Sequence, residues 1–225
     1  MEYKDKTLKG INALVTAGPT YERIDPVRFI GNFSSGKMGI AIAEELALHG
    51  ANVTLVIGPS HEEVPPFVDV IRVEGSDEMF HACLEEFKNC GITVMAAAVA
   101  DFKPANIANQ KIKKGKEEGM TIELVRTIDI LKGLGLLKTG GQTLVGFALE
   151  TQDALNYAKG KKVAKNCDMI VMNKPTENTG FGSNTNQVTI ITEEVEELPL
   201  LSKSATAAEI VNRIIPIWKT KNNKQ

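Results

Sequence analysis

A loop rich in glycine and serine lies where the first helix of this chain should begin, and its residue types could hold an anion. Residues 31–39 read Gly-Asn-Phe-Ser-Ser-Gly-Lys-Met-Gly. Small residues at the start of a helix let an anionic group approach the free backbone N–H groups and the positive end of the helix dipole. The alternative is an ordinary polar turn before a capped helix. The predicted anion-binding residues of the loop are Ser34, Ser35, Gly36 and Lys37.

The same loop nearly has the spacing of a P-loop. Gly31, Gly36 and Lys37 match G-x-x-x-x-G-K, but the next residue is Met38, which has no hydroxyl to hold the magnesium that such a loop requires. The apolar run at residues 11–16 also ends well before the loop instead of running into it. We therefore predict an anion-binding loop of another kind.

A polar, lysine-rich segment at residues 106–123 could also act on phosphate groups. A flexible loop with several lysines could close over a nucleoside triphosphate and neutralise charge that develops on a phosphoryl group. A run of charged residues is equally typical of a solvated surface. Asp101 lies just upstream, where it could contact a sugar, a base or a metal, and Lys161 and Lys165 stand one helical turn apart. The lysines of the segment are Lys111, Lys113, Lys114 and Lys116.

Short apolar runs alternate with longer segments of helical period, which is typical of parallel strands covered by helices on both faces. The predicted strands are residues 12–16, 52–57, 68–73, 93–97, 144–148, 169–172 and 187–192, with a further one near 120–125. The predicted helices are residues 37–49, 77–88, 130–137, 151–166 and 205–218. The pattern predicts an α/β fold with a Rossmann-like, doubly wound, mostly parallel sheet and a lysine-rich flap at residues 106–123.

In such a sheet, ligands bind in the crevice outside the carboxyl ends of the strands. The segment that follows the first strand is Ala17-Gly18-Pro19-Thr20. Gly18 and Thr20 are therefore included with the loop residues in the predicted phosphate or substrate site.

Composition and charge limit the classes of protein that the chain can belong to. Its 225 residues, 43% of them hydrophobic, suit one domain at residues 1–218, followed by a polar tail at 219–225 that is expected to be disordered. A net charge of −2 disfavours a nucleic-acid binder with a large basic face. No apolar run reaches the roughly 18 residues that span a bilayer, and no signal peptide is evident, so a cytoplasmic location is expected. The three cysteines and three histidines have no metal-ligand spacing, so no protein metal site is predicted.

The fold also invites a comparison with nicotinamide dehydrogenases. These need G-x-G-x-x-G directly after the first strand and an acidic residue at the end of the second. The chain has Thr-Ala-Gly-Pro-Thr at residues 16–20 and Gly-Pro-Ser at residues 58–60, so both requirements fail. Tyr157 and Lys161 form a Y-x-x-x-K pair, but Leu144 stands where the partner serine would be expected.

Five motifs, in order, closely resemble bacterial phosphopantothenoylcysteine synthetase, also called phosphopantothenate-cysteine ligase. They are VTAGPT at residues 15–20, NFSSGKMG at 32–39, AAAVADFKP at 96–104, KIKK at 111–114 and GFALET at 146–151. The resemblance extends over about residues 10–216. In many bacteria this domain follows a flavin-dependent decarboxylase domain. We expect the monofunctional form here, without flavin, and whether a separate phosphopantothenoylcysteine decarboxylase binds the chain stays open.

The resemblance implies that the chain joins 4′-phosphopantothenate to L-cysteine in two steps. The substrate carboxylate first attacks the α-phosphorus of CTP to give an acyl-cytidylate and pyrophosphate. The cysteine amine then displaces CMP and forms the amide. Magnesium is implied by the triphosphate, and since the sequence shows no protein ligand for it, Mg²⁺ is expected to bind through the phosphates.

Carried over position by position, the resemblance also implies the site residues. Asn32 falls at the position that holds the acyl-cytidylate, and Lys111 can offset charge at the α-phosphate, so these are the predicted catalytic residues. The implied CTP-binding positions are Met95, Ala96, Ala97, Asp101, Lys111, Ile128, Asp129, Ile130, Leu131, Phe147, Lys161 and Lys165. Ile128 departs from the family, which often has proline there.

Two other functions compete with this prediction. One is the same ligase using ATP, and the other is a nucleotide-binding regulatory subunit that has lost turnover. Asn32 and Lys111 disfavour the second, because a sensor needs nucleotide contacts but no residue suited to a reactive intermediate. A homodimer is implied by the resemblance, although the sequence itself shows no interface.

Overall fold

The computed structural model describes residues 3–113, 119–149, 154–173 and 183–223. The strands are β1 Asn12–Ala17, β2 Tyr21–Arg23, β3 Phe29–Gly31, β4 Asn52–Ile57, β5 Asp69–Arg72, β6 Ile92–Met95, β7 Phe102–Pro104, β8 Leu124–Arg126, β9 Thr143–Leu149, β10 Met169–Asn173, β11 Thr185–Asn186, β12 Val188–Ile191, β13 Val195–Glu197 and β14 Leu201–Ser202. The helices are α1 Lys37–Leu48, α2 Ser76–Phe87, α3 Ile130–Leu137, α4 Ala154–Ala164 and α5 Lys203–Asn222. Residues 151–153, where the fourth predicted helix should begin, lie outside the described ranges.

Eight strands form one sheet in the order β13-β12-β10-β9-β6-β1-β4-β5. The strands from β10 to β5 in this order are parallel, whereas β12 and β13 are antiparallel to their neighbours. Strands β1, β6, β9 and β10 are almost fully buried, because helices cover both faces of the sheet. This burial explains their nearly continuous apolar sequences. The predicted Rossmann-like α/β fold with a mostly parallel sheet is confirmed.

Two apolar clusters hold the helices to the two faces of the sheet. One packs α1 and α5 against the strands, through buried side chains such as Leu46 and Ile210. The other packs α2, α3 and α4, through Met79, Leu134 and Ala158. Truncation of a core leucine such as Leu46 would leave a cavity and cost about 2–5 kcal/mol of stability.

The strand order reverses beside β1. The chain proceeds from β1 to β4 and β5 on one side, then crosses to β6, β9 and β10 on the other. A crevice opens at such a topological switch point, outside the carboxyl ends of the strands. The segments after β1 and β6 are therefore expected to form the centre of the site.

Small sheets outside the main one were largely missed by the sequence pattern. They pair β2 with β3, β7 with β8, and β11 with β14. Their strands are too short to show a period of two in the sequence. The strand predicted near residues 120–125 is observed only from Leu124 onward, as β8. The N–H of Ala105 donates to the carbonyl oxygen of Glu123, so the base of the lysine-rich segment is joined across β7 and β8.

Helix α5 extends past the predicted end of the domain. The Lys221 ammonium donates to the carbonyl oxygen of Gln142 at 2.8 Å and to Oδ1 of Asp168 at 2.6 Å. The Asn222 amide donates to the carbonyl oxygen of Gly141 at 3.0 Å. The predicted disorder from Lys219 onward is therefore wrong for residues 219–222, because polar side chains fix the last turn where no apolar anchor does. None of the helices in the described ranges combines the length and apolar composition that a bilayer crossing requires.

Candidate active site

Helix α1 begins tightly against the end of β1. Gly39 is required at this contact because a Cβ there would lie 2.6 Å from the Cβ of Ala17. Gly36 precedes the helix with a φ of 86°, a conformation that favours glycine. Gly36 has no side chain to cap the helix, and the first turn carries no acidic residue. The amino end of α1 is therefore suited to an anion.

Side chains fix the loop that precedes α1. The Ser60 hydroxyl donates to the carbonyl oxygen of Ser35 at 2.7 Å. The Asn32 amide nitrogen donates to the carbonyl oxygen of Val99 at 3.0 Å. The loop is thus tied to the segment after β4 by Ser35 and to the segment after β6 by Asn32, whose side chain stays exposed.

Gly18 and Thr20 lie beneath this loop and not on a cavity wall. The Thr20 hydroxyl accepts from the N–H of Ala100 at 3.0 Å, and the N–H of Ala98 donates to the carbonyl oxygen of Gly18 at 2.8 Å. Both residues are buried. They join the segments after β1 and β6, so the structure gives them a supporting position, and their contact with a ligand stays a prediction.

Two adjoining cavities open at the switch point. The first, the loop cavity, has a volume of about 780 Å³ and lies between the 31–39 loop and the ends of β6, β9 and β10. The second, the α3 cavity, has a volume of about 570 Å³ and lies between the end of β6 and the start of α3. Residues common to both walls are Ala97, Val99, Asp101, Phe147 and Lys161.

The structure brings most of the predicted site residues to these two walls. Those on the α3 cavity are Met95, Ala97, Asp101, Ile128, Asp129, Ile130, Leu131, Phe147, Lys161 and Lys165. Those on the loop cavity include Asn32, Ser34, Ser35, Gly36, Lys37 and Ala96. Ile128 lines the α3 cavity despite replacing the proline that is common in the family.

Close packing of α3 on α4 positions the charges of the α3 cavity. A Cβ at Gly135 would collide with the carbonyl oxygen of Lys165, so only glycine allows this approach. The Asp129 carboxylate caps α3 by accepting from the N–H of Lys132 at 2.9 Å, and it also pairs with the Lys165 ammonium. The Lys161 ammonium donates to the carbonyl oxygen of Phe147 at 2.8 Å.

The neighbouring cations change the titration of Asp129. Burial alone would raise the pKa of this carboxyl group. The hydrogen bonds from Lys165 and from the N–H of Lys132, together with the charges of Lys165 and Lys161, outweigh burial and lower the pKa below its ordinary value. Asp129 is therefore an ionised cap that orients Lys165 beside the cavity.

Lys111 is exposed and lies on neither cavity wall. The next residue is anchored to the β2–β3 turn, because the N–H of Ile112 donates to Oδ2 of Asp25 at 3.1 Å and its carbonyl oxygen accepts from Arg28 at 3.1 Å. Arg28 also pairs with the Asp25 carboxylate and lowers the pKa of that group. Lys114 and Lys116 lie outside the described residues, so closure of the flap stays a prediction.

Three polar residues on the loop cavity were not predicted as site residues: Asn173, Asn186 and Lys203. Oδ1 of Asn173 is buried and has no hydrogen-bond partner within the part of the chain that is described. Its position at the carboxyl end of β10 is the sequence signal that could have found it. Lys203 is the first residue of α5, and no local sequence pattern predicts its position on the loop cavity wall. The described residues contain no group of three or more His, Cys, Asp or Glu side chains that could hold a metal ion.

These features define a Rossmann-like α/β domain with a composite ligand crevice at its switch point. The family model for the DNA/pantothenate metabolism flavoprotein C-terminal domain matches residues 8–217, and the chain belongs to this family.

Similar proteins with curated names are longer than this chain. The coenzyme A biosynthesis bifunctional protein CoaBC of Vibrio cholerae is 44% identical over 215 residues, which cover 94% of this chain and 54% of that protein. A protein named cysteine/cysteine sulfinic acid decarboxylase, from an unknown prokaryotic organism, is 45% identical over 217 residues, or 95% of this chain and 60% of that protein. The chain thus spans little more than half the length of these relatives.

A solved structure matches the chain over nearly its whole length. The crystal structure of the C-terminal domain of CoaBC superimposes with a TM-score of 0.82 at 41% identity. The match covers 96% of this chain and 99% of that one. The resemblance to phosphopantothenoylcysteine synthetases, carried first by sequence motifs, is thereby confirmed at the level of family and fold.

Proposed function

We propose that this chain ligates 4′-phosphopantothenate and L-cysteine in a CTP-dependent reaction of coenzyme A biosynthesis. The observation that carries the proposal is the pair of adjoining cavities that share Asp101, Phe147 and Lys161. A reaction that couples a nucleotide to an acid requires both molecules to meet at one wall. The volumes of both cavities fall within the range of about 300–1,000 Å³ that is usual for small-molecule sites.

The α3 cavity is assigned to CTP. Phe147 offers an aromatic surface to a base or sugar, and the ammonium groups of Lys161 and Lys165 face the same space as the backbone at the start of α3. Peptide groups at a fixed turn can distinguish the donor and acceptor pattern of one base from another. CTP in preference to ATP is proposed because the motifs resemble the bacterial form of the family.

The loop cavity is assigned to the phosphorylated acid and then to cysteine. Asn32 lies on this wall, where its amide can orient a bound acyl group. In the first step the acid carboxylate attacks the α-phosphorus of CTP, an acyl-cytidylate forms and pyrophosphate leaves. In the second step the cysteine amine attacks the acyl carbon, CMP leaves and the amide forms. Lys111 would act in the first step once its segment closes over the crevice.

Magnesium fits this arrangement as an ion carried by the triphosphate. Asp101 and Asp129 are the carboxylates on the α3 cavity wall, which is fewer than a dedicated protein site for the ion would offer. When bound, the ion offsets negative charge on the phosphates.

A homodimer is proposed as the assembly. Apolar side chains are exposed on the small sheets β2–β3 and β7–β8, namely Phe29, Phe102, Leu124 and Val125. Clustered apolar side chains on short strands are a common basis of association between copies of a chain. A separate phosphopantothenoylcysteine decarboxylase, which would consume the product, is proposed as a further partner and has no assigned surface.

The direct test is to incubate the protein with 4′-phosphopantothenate, L-cysteine, Mg²⁺ and either CTP or ATP. We expect the amide, CMP and pyrophosphate in equal amounts with CTP, and much slower amide formation with ATP. CDP and phosphate as products would indicate an acyl-phosphate intermediate and contradict the mechanism. Nucleotide binding without any amide would favour the regulatory subunit instead.

A further inference from the structure

Lys203, the first residue of α5, brings a cation to the loop cavity from the far end of the sequence. Its N–H donates to the carbonyl oxygen of Asn184 at 2.9 Å, which fixes the start of the helix. Its half-buried side chain lines both the loop cavity and a neighbouring cavity of about 320 Å³, and Lys37 lines the same two walls. Two ammonium groups from α1 and α5 therefore face one space.

On the loop cavity the lysines Lys37, Lys161 and Lys203 outnumber the one carboxylate, Asp101, whereas the neighbouring cavity also carries Glu44, Glu62 and Glu63. The Lys37 ammonium donates to Oδ1 of Asn184 at 2.8 Å and lies 3.7 Å from Glu62. The Lys203 ammonium makes no hydrogen bond or ion pair within residues 3–113, 119–149, 154–173 and 183–223. Burial lowers the pKa of Lys203, the charge of Lys37 lowers it further, and Glu62 opposes both. A half-buried cation beside a like charge is unfavourable until an anion joins it.

The amino end of α1 adds a third source of positive potential. Gly36 and Gly39 line the loop cavity together with the two lysines. Helix N–H groups and two ammonium groups provide several donors around one space, and a phosphate group has three oxygens that can each accept from such donors. A carboxylate has two oxygens and one charge, so it would accept hydrogen bonds from fewer of these donors.

We propose that Lys203 and Lys37 bind a phosphate group of a substrate where α5 meets α1. The assignment of that substrate rests on the ligase function proposed above. Two phosphate groups are available in that reaction: the 4′-phosphate of phosphopantothenate and the terminal phosphates of CTP. Both present the same chemistry to the two lysines.

Binding measurements with matched ligands test the proposal and distinguish the two sources. Calorimetry would compare 4′-phosphopantothenate with pantothenate, and CTP with CMP, on the full chain. The variants are Lys203→Met, Lys203→Arg and, as a control, Lys219→Met, which removes an exposed lysine of the same helix. We expect Lys203→Met to weaken one phosphate-bearing ligand about tenfold or more, with its phosphate-free counterpart unchanged. Lys203→Arg should keep most of the affinity, and Lys219→Met all of it.

A second measurement separates ligand binding from a structural role. Without ligand, Lys203→Met should melt at the same temperature as the original protein or higher, because it removes a half-buried ammonium group that makes no hydrogen bond or ion pair within the described residues. A clear fall in melting temperature would show that Lys203 stabilises the fold, and would overturn the proposal. Equal weakening of phosphate-bearing and phosphate-free ligands, or no weakening of either, would also overturn it.

The two proposals can fail separately. If the protein forms the amide while Lys203→Met binds every ligand normally, the ligase function stands and the phosphate site is wrong. If no amide forms while inorganic pyrophosphate binds in a Lys203-dependent manner, the phosphate site stands and its ligand belongs to another reaction.

Discussion

The two cavities that meet at Asp101, Phe147 and Lys161 differ in how completely their lysines are paired within the protein. In the α3 cavity, Lys165 pairs with Asp129, and Lys161 donates to a backbone carbonyl. In the loop cavity, Lys37 donates to Asn184, whereas the Lys203 ammonium has no such partner within the described residues. Internal pairs hold a side chain in one geometry before a ligand arrives, whereas an unpaired cation is stabilised only when the ligand supplies the anion. The lysines of the α3 cavity are therefore held in place in advance, whereas Lys203 of the loop cavity is stabilised by the anion that the cavity binds.

The largest effects are expected where the proposed chemistry takes place. Lys111→Gln should slow pyrophosphate release from CTP and 4′-phosphopantothenate by about a hundredfold, because a fixed cation near the α-phosphate stabilises the charge of the attack. Lys113→Gln, which changes a neighbouring exposed lysine, is the control and should have little effect. Single-turnover quench measurements give the rate. Comparable losses in both variants would show that only the total charge of the segment matters.

Asn32→Asp should affect the second step more than the first. The variant loses the amide N–H that donates to Val99 and gains a negative charge on the loop cavity wall. Pyrophosphate release should persist in a single turnover, while amide formation slows about tenfold or more and the acyl-cytidylate accumulates. Loss of pyrophosphate release as complete as in Lys111→Gln, with the fold intact, would place Asn32 in substrate or nucleotide binding instead.

A pair of glycine substitutions tests the advance organisation of the α3 cavity. Gly135→Ala should destabilise the protein by about 1–3 kcal/mol, because its Cβ would collide with the carbonyl oxygen of Lys165. Gly160→Ala, where the added Cβ meets open space within α4, should stabilise it by about 0.5–1 kcal/mol. Chemical denaturation measures both. CTP affinity should fall in Gly135→Ala, and equal affinity in the two variants would refute the idea that this packing prepares the cavity.

The smallest effect is expected from the Asp129–Lys165 pair. Since the pKa of Asp129 is lower in the folded chain than its ordinary value of 3.8, its contribution to stability is present above that value. The contribution is lost as pH falls through the lowered pKa. Asp129→Asn should therefore cost no more than about 1 kcal/mol at neutral pH, since the pair is partly exposed. The difference from the original protein should vanish in strong acid, and a difference that grows there would contradict the assigned cause.

Elements with a strong repeating pattern were predictable from sequence, and elements that depend on distant packing were not. β4 and α3 have the predicted boundaries, because a buried parallel strand and a capped amphipathic helix leave clear local signals. The β2–β3 hairpin leaves none, since its strands contain three residues each. Asp101 could be placed near the site because it follows a strand, whereas Phe147, which lies within β9, was placed there by the family resemblance. Lys203 could not, because only the packing of α5 on α1 brings it there.

The length of helix α5 fixes the distance between two opposite edges of the sheet. Its last turn is tied to Asp168 and Gly141, which precede β10 and β9 on the edge opposite the cavities, while its first residue lines the loop cavity. Each residue added to a helix advances it by about 1.5 Å and rotates it by about 100°. Insertion of one residue in α5 would therefore turn Lys203 away from Lys37 even if every apolar contact could be restored. Sequence divergence within α5 is expected to proceed by substitution, with its length preserved.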